Sequence, residues 1–169
     1  MKKSWKALCA CLLSLVVCSS AAAASASAVR PAPICSFSVG GQSVDLSRYR
    51  GKVVYLDFWA SWCIPCMASF PFMQRLHQDL SGRGLVVLAV DMDASPADGR
   101  AFLARHPVGF DVATGSNADC ARRFGVAAMP STYIIDRSGT IRAVHTGFRG
   151  GEAQDLRRQV EQLLSERAS

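Results

Sequence analysis

One short stretch constrains this chain more than any other. The apolar run Val53-Val54-Tyr55-Leu56-Asp57-Phe58 is followed, four residues later, by Trp62-Cys63-Ile64-Pro65-Cys66. Such a run is expected of a strand buried on both faces of a sheet. After the motif, Phe70, Met73, Leu76 and Leu80 recur at three- and four-residue steps, which predicts a helix ending at Gly82 or Gly84. A strand that feeds a helix at Cys-X-X-Cys puts the first sulfur at the helix N-terminus. There the unpaired amides and the positive end of the helix dipole stabilise a thiolate. The second sulfur, one turn on, can close a ring by attacking a mixed disulfide. The chemistry implied is thiol–disulfide exchange.

The same spacing also serves as half of a zinc site, but four-coordinate zinc needs two further ligands. The remaining candidates, Cys35, Cys120, His77, His106 and His145, form no second pair at ligand spacing. No metal and no cofactor are therefore expected.

The front of the chain reads differently from the rest. Lys2, Lys3 and Lys6 form a positive region, residues 7–18 are apolar, and a small-residue tract occupies 19–28. This is the pattern of a cleavable secretory signal peptide over residues 1–28. Its apolar stretch falls short of the 20 or so residues a membrane span wants, so an uncleaved N-terminal anchor is the weaker reading and the mature chain is expected to have no transmembrane span. Residues 29–33 read as a linker, and residues 34–169 as one domain.

Without the signal, three lysines and no acids are lost. The formal charge then falls from +6 to +3, with 16 basic against 13 acidic residues. No basic stripe interleaved with aromatics remains to suggest nucleic acid as a partner. Cys9, Cys11 and Cys18 leave with the signal, and Cys35, Cys63, Cys66 and Cys120 stay. An even number of cysteines in an oxidising compartment permits a structural disulfide, Cys35 to Cys120. The alternative is two unrelated buried thiols acting as small hydrophobes.

Along the mature chain, residues 34–39 and 42–46 flank Gly40-Gly41 and read as a β-hairpin. Residues 85–90 are a second apolar strand, and Ser95-Pro96 opens a helix to about residue 106 with Phe102 and Leu103 inward. A short strand at 109–112, a short helix at 117–124, and a hairpin of 132–136 with 140–145 follow. Leu156, Val160, Leu163 and Leu164 mark a closing amphipathic helix. This order describes an α/β sandwich around a mixed sheet.

At these residues the chain resembles the thioredoxin superfamily, and within it the exported TlpA-like thiol–disulfide oxidoreductases. The matching segments are Pro31-Ala32-Pro33, Gly51-Lys52-Val53-Val54, Phe58-Trp59-Ala60-Ser61-Trp62-Cys63, Phe70-Pro71, Ala89-Val90-Asp91, Met129-Pro130-Ser131-Thr132 and Tyr133-Ile134-Ile135-Asp136-Arg137-Ser138-Gly139. The resemblance implies an α/β thioredoxin fold, a mixed β-sheet flanked by helices, with an N-terminal β-hairpin and a central strand–helix insertion around 85–112. It implies a periplasmic enzyme that reduces protein disulfides, drawing electrons from a membrane thiol carrier.

Cys63 would attack from an exposed position and Cys66 would resolve. Ile64 and Pro65 shape the loop between them, and Trp62 would cover the disulfide. Pro130 would be the cis-proline beside that disulfide, and the Met129 backbone would pair with an extended substrate segment. Asp57, a charge in an apolar strand, should have a raised pKa because burial disfavours the carboxylate. In the resemblance it is the proton acceptor for Cys66; the competing reading is an edge-strand aspartate facing water. Two departures stand out. Ser69 occupies the place where several exported reductases carry glutamate, and Cys35 the place where relatives commonly have aspartate. A rival reading outside catalysis is a copper metallochaperone using Cys63, Cys66 and a distant histidine such as His145.

Overall fold

The computed structural model describes residues 29–115 and 117–166; the signal-peptide reading of residues 1–28 lies outside them. Eight strands form one mixed sheet: β1 (Arg30–Pro31), β2 (Ser36–Val39), β3 (Gln42–Asp45), β4 (Val53–Trp59), β5 (Leu85–Asp91), β6 (Asp111–Ala113), β7 (Ser131–Ile135) and β8 (Thr140–Thr146). Among the described residues four α-helices accompany them: α1 (Ile64–Leu80), α2 (Pro96–Arg105), α3 (Ala118–Phe124) and α4 (Glu152–Ser165). The strand order is β1-β8-β7-β4-β5-β6-β2-β3. β4, β5 and β6 run parallel, while on one side β7 pairs antiparallel with β4 and β8 antiparallel with β7, and the β2–β3 hairpin closes the other.

β4 lies at the centre, and all seven of its residues are buried. Alternation along the strand divides them between two cores. Val53, Tyr55 and Trp59 face a layer built from α1, α2 and α4, with Phe70, Met73, Leu76, Phe102, Leu156 and Val160. Val54, Leu56 and Phe58 face a second layer with Cys35, Phe37, Cys120 and Phe124, where α3 packs. A run that reads as continuous apolar sequence is thus two interleaved faces.

The expected hairpin is present, turned by Gly40 and Gly41, both at positive φ (57° and 80°), the geometry that two-residue hairpin loops require. Residues 85–113 form the β5–α2–β6 insertion between α1 and α3.

Two expectations change in detail. The linker at 29–33 is docked: Arg30 and Pro31 pair with β8, and the Arg30 guanidinium donates to the Phe124 carbonyl at 3.0 Å. Proline fits there because an edge strand needs no inward N–H. The short strand expected at 109–112 begins at Asp111 instead. The Gly109 N–H is taken by the Gln74 side chain of α1 at 2.9 Å, and Phe110 turns into the core against Phe70.

Candidate active site

The C-terminal end of β4 delivers the chain to the N-terminus of α1 through Ala60, Ser61 and Trp62. Cys63 is the N-cap of α1, with its sulfur 3.3 Å from the Cys66 N–H. The two cysteines are joined as a disulfide, with α-carbons 5.2 Å apart. Ile64 and Pro65 fill the first helical turn, where a missing proline N–H costs nothing. The placement of sulfur at the helix terminus is as expected, but its accessibility is not. In this disulfide-bonded form Cys63 is only 5% exposed and Cys66 is fully buried. Trp62, expected to cover the disulfide, is itself mostly exposed. Trp62 and Ile64 stand out at 67% and 74% exposure and, with Met67, form an apolar rim around it. Trp59 is fully buried against Phe70 and Phe102, a packing residue.

Asp57 is fully buried in the central strand, not at an edge. Its parity with Val53, Tyr55 and Trp59 directs it to the face that α1 covers, the face whose core includes Cys63 and Cys66. Thr132, opposite it on β7, donates from its hydroxyl to Asp57 Oδ1 at 2.6 Å. Asp57 Oδ2 has no hydrogen-bond partner among the described residues. Burial pushes the Asp57 carboxyl up to about 7, against a smaller opposing pull from the Thr132 hydrogen bond. A carboxyl that exchanges its proton near neutrality can take one from a thiol and return it.

Met129 and Pro130 immediately precede β7, with the peptide bond between them cis. The Pro130 carbonyl accepts from the Gly147 N–H at 2.8 Å, and Met129 packs against the core that holds the two cysteines. Ser69, where a glutamate was the alternative, is buried on α1 and donates to the Cys66 carbonyl at 2.8 Å. It supplies a hydroxyl where a charge would otherwise sit. Cys35 and Cys120, α-carbons 5.5 Å apart, form a second disulfide between the segment before β2 and α3, in the other core.

Sequence reasoning missed a second set of residues at the mouth of the site. Asp93 accepts from the Ser61 N–H with both oxygens, at 3.0 and 3.2 Å, and from the Ser61 hydroxyl at 3.0 Å. This clamps the backbone two residues before Cys63. Asp91 is buried beside it, receives the Asp93 N–H on Oδ1, and leaves Oδ2 without a partner among the described residues. Burial raises the Asp91 carboxyl, and the neighbouring Asp93 charge adds to the rise. The signal that could have exposed the pair is two acids, Asp91 and Asp93, at the C-terminal end of a buried parallel strand, where α/β sheets place their sites.

Among the described residues, no group of three or more histidine, cysteine or acidic side chains could hold a metal ion. His145 instead pairs with Gln159 at 3.2 Å.

The family model described as Redoxin matches residues 25–163. The chain is similar to the thiol-disulfide oxidoreductase ResA of Bacillus thuringiensis subsp. konkukian (strain 97-27), with 29% identity over 101 residues, 60% of this chain and 58% of that protein. It therefore spans less than two thirds of that relative's length. Among solved structures it is similar to a protein from Chlorobium tepidum described as a thiol:disulfide interchange protein DsbE. That likeness has a TM-score of 0.78 and 39% identity and covers 81% of this chain and 97% of the other. It is also similar to the exposed lipoprotein thioredoxin Etrx1 of Streptococcus pneumoniae strain TIGR4, with a TM-score of 0.68, 28% identity, and coverage of 78% and 100%.

Proposed function

The chain belongs to the Redoxin family, and we propose that it is a thiol–disulfide oxidoreductase of the cell envelope that reduces protein disulfides. The observation that carries this reading is the Cys63–Cys66 disulfide at the N-terminus of α1, on the sheet face to which Asp57 also points. The names of the ResA and DsbE relatives support the chemistry. The signal-like residues 1–28 and the lipoprotein neighbour support an extracytoplasmic location.

In the reduced protein the Cys63 thiolate, stabilised by the helix terminus, attacks one sulfur of a substrate disulfide. A Cys63–substrate bond forms and the other substrate sulfur leaves as a thiolate. Cys66 then gives its proton to Asp57 and attacks the Cys63 sulfur. The Cys63–Cys66 bond closes, the second substrate sulfur departs, and two electrons have passed to the substrate. Trp62, Ile64 and Pro65 offer the substrate an apolar rim, and the Met129 backbone beside Pro130 pairs with its extended segment. A membrane thiol carrier would return the pair to the dithiol.

Cys66→Ala removes resolution and should trap mixed disulfides through Cys63, recovered from an envelope fraction and cut by reductant. Adducts held through Cys35 or Cys120 would sink the assignment. The reduction potential of the pair decides direction. A value near thioredoxin's, about −270 mV, is expected, and one near that of the oxidant DsbA, about −120 mV, would reverse the reading.

A further inference from the structure

Asp57 is held by a short buried chain of hydroxyls. Thr132 lies directly across from it in the β4–β7 register, with Oγ1 2.6 Å from Asp57 Oδ1. The Tyr55 hydroxyl, two residues back on β4 and on the same face, lies 3.4 Å from Thr132 Oγ1. Each hydroxyl has one proton to give. A carboxylate can only accept, so the Thr132 proton is committed to Asp57 Oδ1, and at Thr132 Oγ1 the Tyr55 hydroxyl acts as donor. Burial keeps Tyr55 protonated, and the nearby Asp57 charge reinforces it, so that donor persists. While Asp57 is ionised, the chain therefore runs from Tyr55 through Thr132 to Asp57.

It leaves one atom open. Asp57 Oδ2 is buried and has no partner among the described residues. We propose that Thr132, oriented by Tyr55, is a positioning residue for disulfide exchange: by engaging Oδ1 it leaves Oδ2 to take the Cys66 proton. The inference rests on the reading of Asp57 as proton acceptor. In the step concerned the Cys66 S–H proton passes to Oδ2. The Cys66 thiolate then bonds to the Cys63 sulfur, the Cys63–substrate bond breaks, and the substrate sulfur leaves with the electron pair.

The other ionisable groups on this face are Cys63 and Cys66 of α1, Tyr55 of β4, Asp91 at the end of β5 and His145 of β8, across from Thr132 and paired with Gln159 of α4, with Glu152 at the start of α4 acting on Tyr55. No basic side chain pairs with Asp57 among the described residues. Thr132 is then the one neighbour whose hydrogen bond favours the anion. A hydrogen bond to a charged group is worth enough that its loss should move the titration by about one to two pH units.

The test is the pH dependence of the resolving step, followed as release of a fluorescent peptide from its mixed disulfide with Cys63 between pH 5 and 9. Thr132→Val should move the limb reporting Asp57 to higher pH by about one to two units, roughly a tenfold or greater slowing below it. Thr132→Ser should return the limb to its original position. Tyr55→Phe should move it in the same sense but less, because that contact is long, and it reads the chain from its far end if Thr132→Val does not fold. Asp57→Asn supplies the control. If Asp57→Asn alters the profile but Thr132→Val and Tyr55→Phe leave the limb in place, the positioning role fails and the acceptor role stands. A uniform slowing at all pH values, not relieved by Thr132→Ser, also overturns the positioning role. An Asp57→Asn profile identical to the parent overturns the acceptor reading beneath it.

Discussion

Asp57 carries a stability cost, with the same origin as the proton-acceptor role proposed for it. Burial raises its carboxyl from an ordinary 3.8 to about 7. Between those values the folded protein holds a proton that the unfolded chain has released, so stability falls as pH rises through that window. Above pH 7 the full penalty is present; below about pH 4 it is absent. A rise of about three pH units corresponds to a penalty on the order of 4 kcal/mol. Asp57→Asn in the oxidised protein should therefore unfold at higher urea than the parent at pH 8, by a margin that shrinks towards zero at pH 4. Equal margins at both pH values would mean that Asp57 ionises alike in the folded and unfolded chain. The unusual acid was legible as a lone charge in an apolar strand. Thr132 was not, because a threonine in a strand is ordinary until its register partner is known.

At the level of elements, α2 shows how closely the insertion is fitted to the sheet. Phe102 packs on Trp59 and Phe70, with ring centroids 5.1 and 5.0 Å away, and its inward direction was readable from the sequence. Gly99, three residues earlier, was not readable as a contact. A Cβ there would lie 2.0 Å from Asp91 Oδ2, and Asp91 is buried and held by the Asp93 N–H, so it has little room to give. In an open helix Gly→Ala gains about 1 kcal/mol. Here Gly99→Ala should instead cost roughly 1–3 kcal/mol by overpacking, measurable as a lower urea midpoint. Because Asp91 supports Asp93, and Asp93 clamps Ser61, the same variant should speed alkylation of Cys63 in the reduced protein. A stabilised Gly99→Ala would show that α2 is free to move off β5.

Across the whole molecule, the sheet is strongest in the middle and thin at the hairpin side. β4 pairs with β5 along seven residues, whereas β2 meets β6 at a single register pair, Val39 with Ala113. The Cys35–Cys120 disulfide ties that edge to α3 across 85 residues of sequence. In the chain-entropy model, closing a loop of that size stabilises the fold by roughly 4–5 kcal/mol. Replacing both cysteines with serine should cost up to that amount, and the hairpin Ser36–Asp45 should lose hydrogen-exchange protection before β4 and β5 do. Uniform loss across the sheet would place the bond's effect wholly in the unfolded chain. In the intact protein Cys63–Cys66 should reduce first, with Cys35–Cys120 resisting until the domain opens.

The amino-acid sequence by itself determined what is local. The strand into a Cys-X-X-Cys helix, the Gly40–Gly41 turn, the α2 start at Pro96 and the amphipathic α4 follow from periodicity and turn chemistry within a few residues of one another. The tertiary structure decided what depends on distant segments meeting: Thr132 across from Asp57, Asp93 against Ser61, Cys35 beside Cys120, and the low exposure of the bonded Cys63. The first three are set by strand register or by packing between elements 30 to 85 residues apart. Local spacing carries no record of which partner a buried polar atom or a thiol will find, because that choice belongs to the packing of the whole sheet.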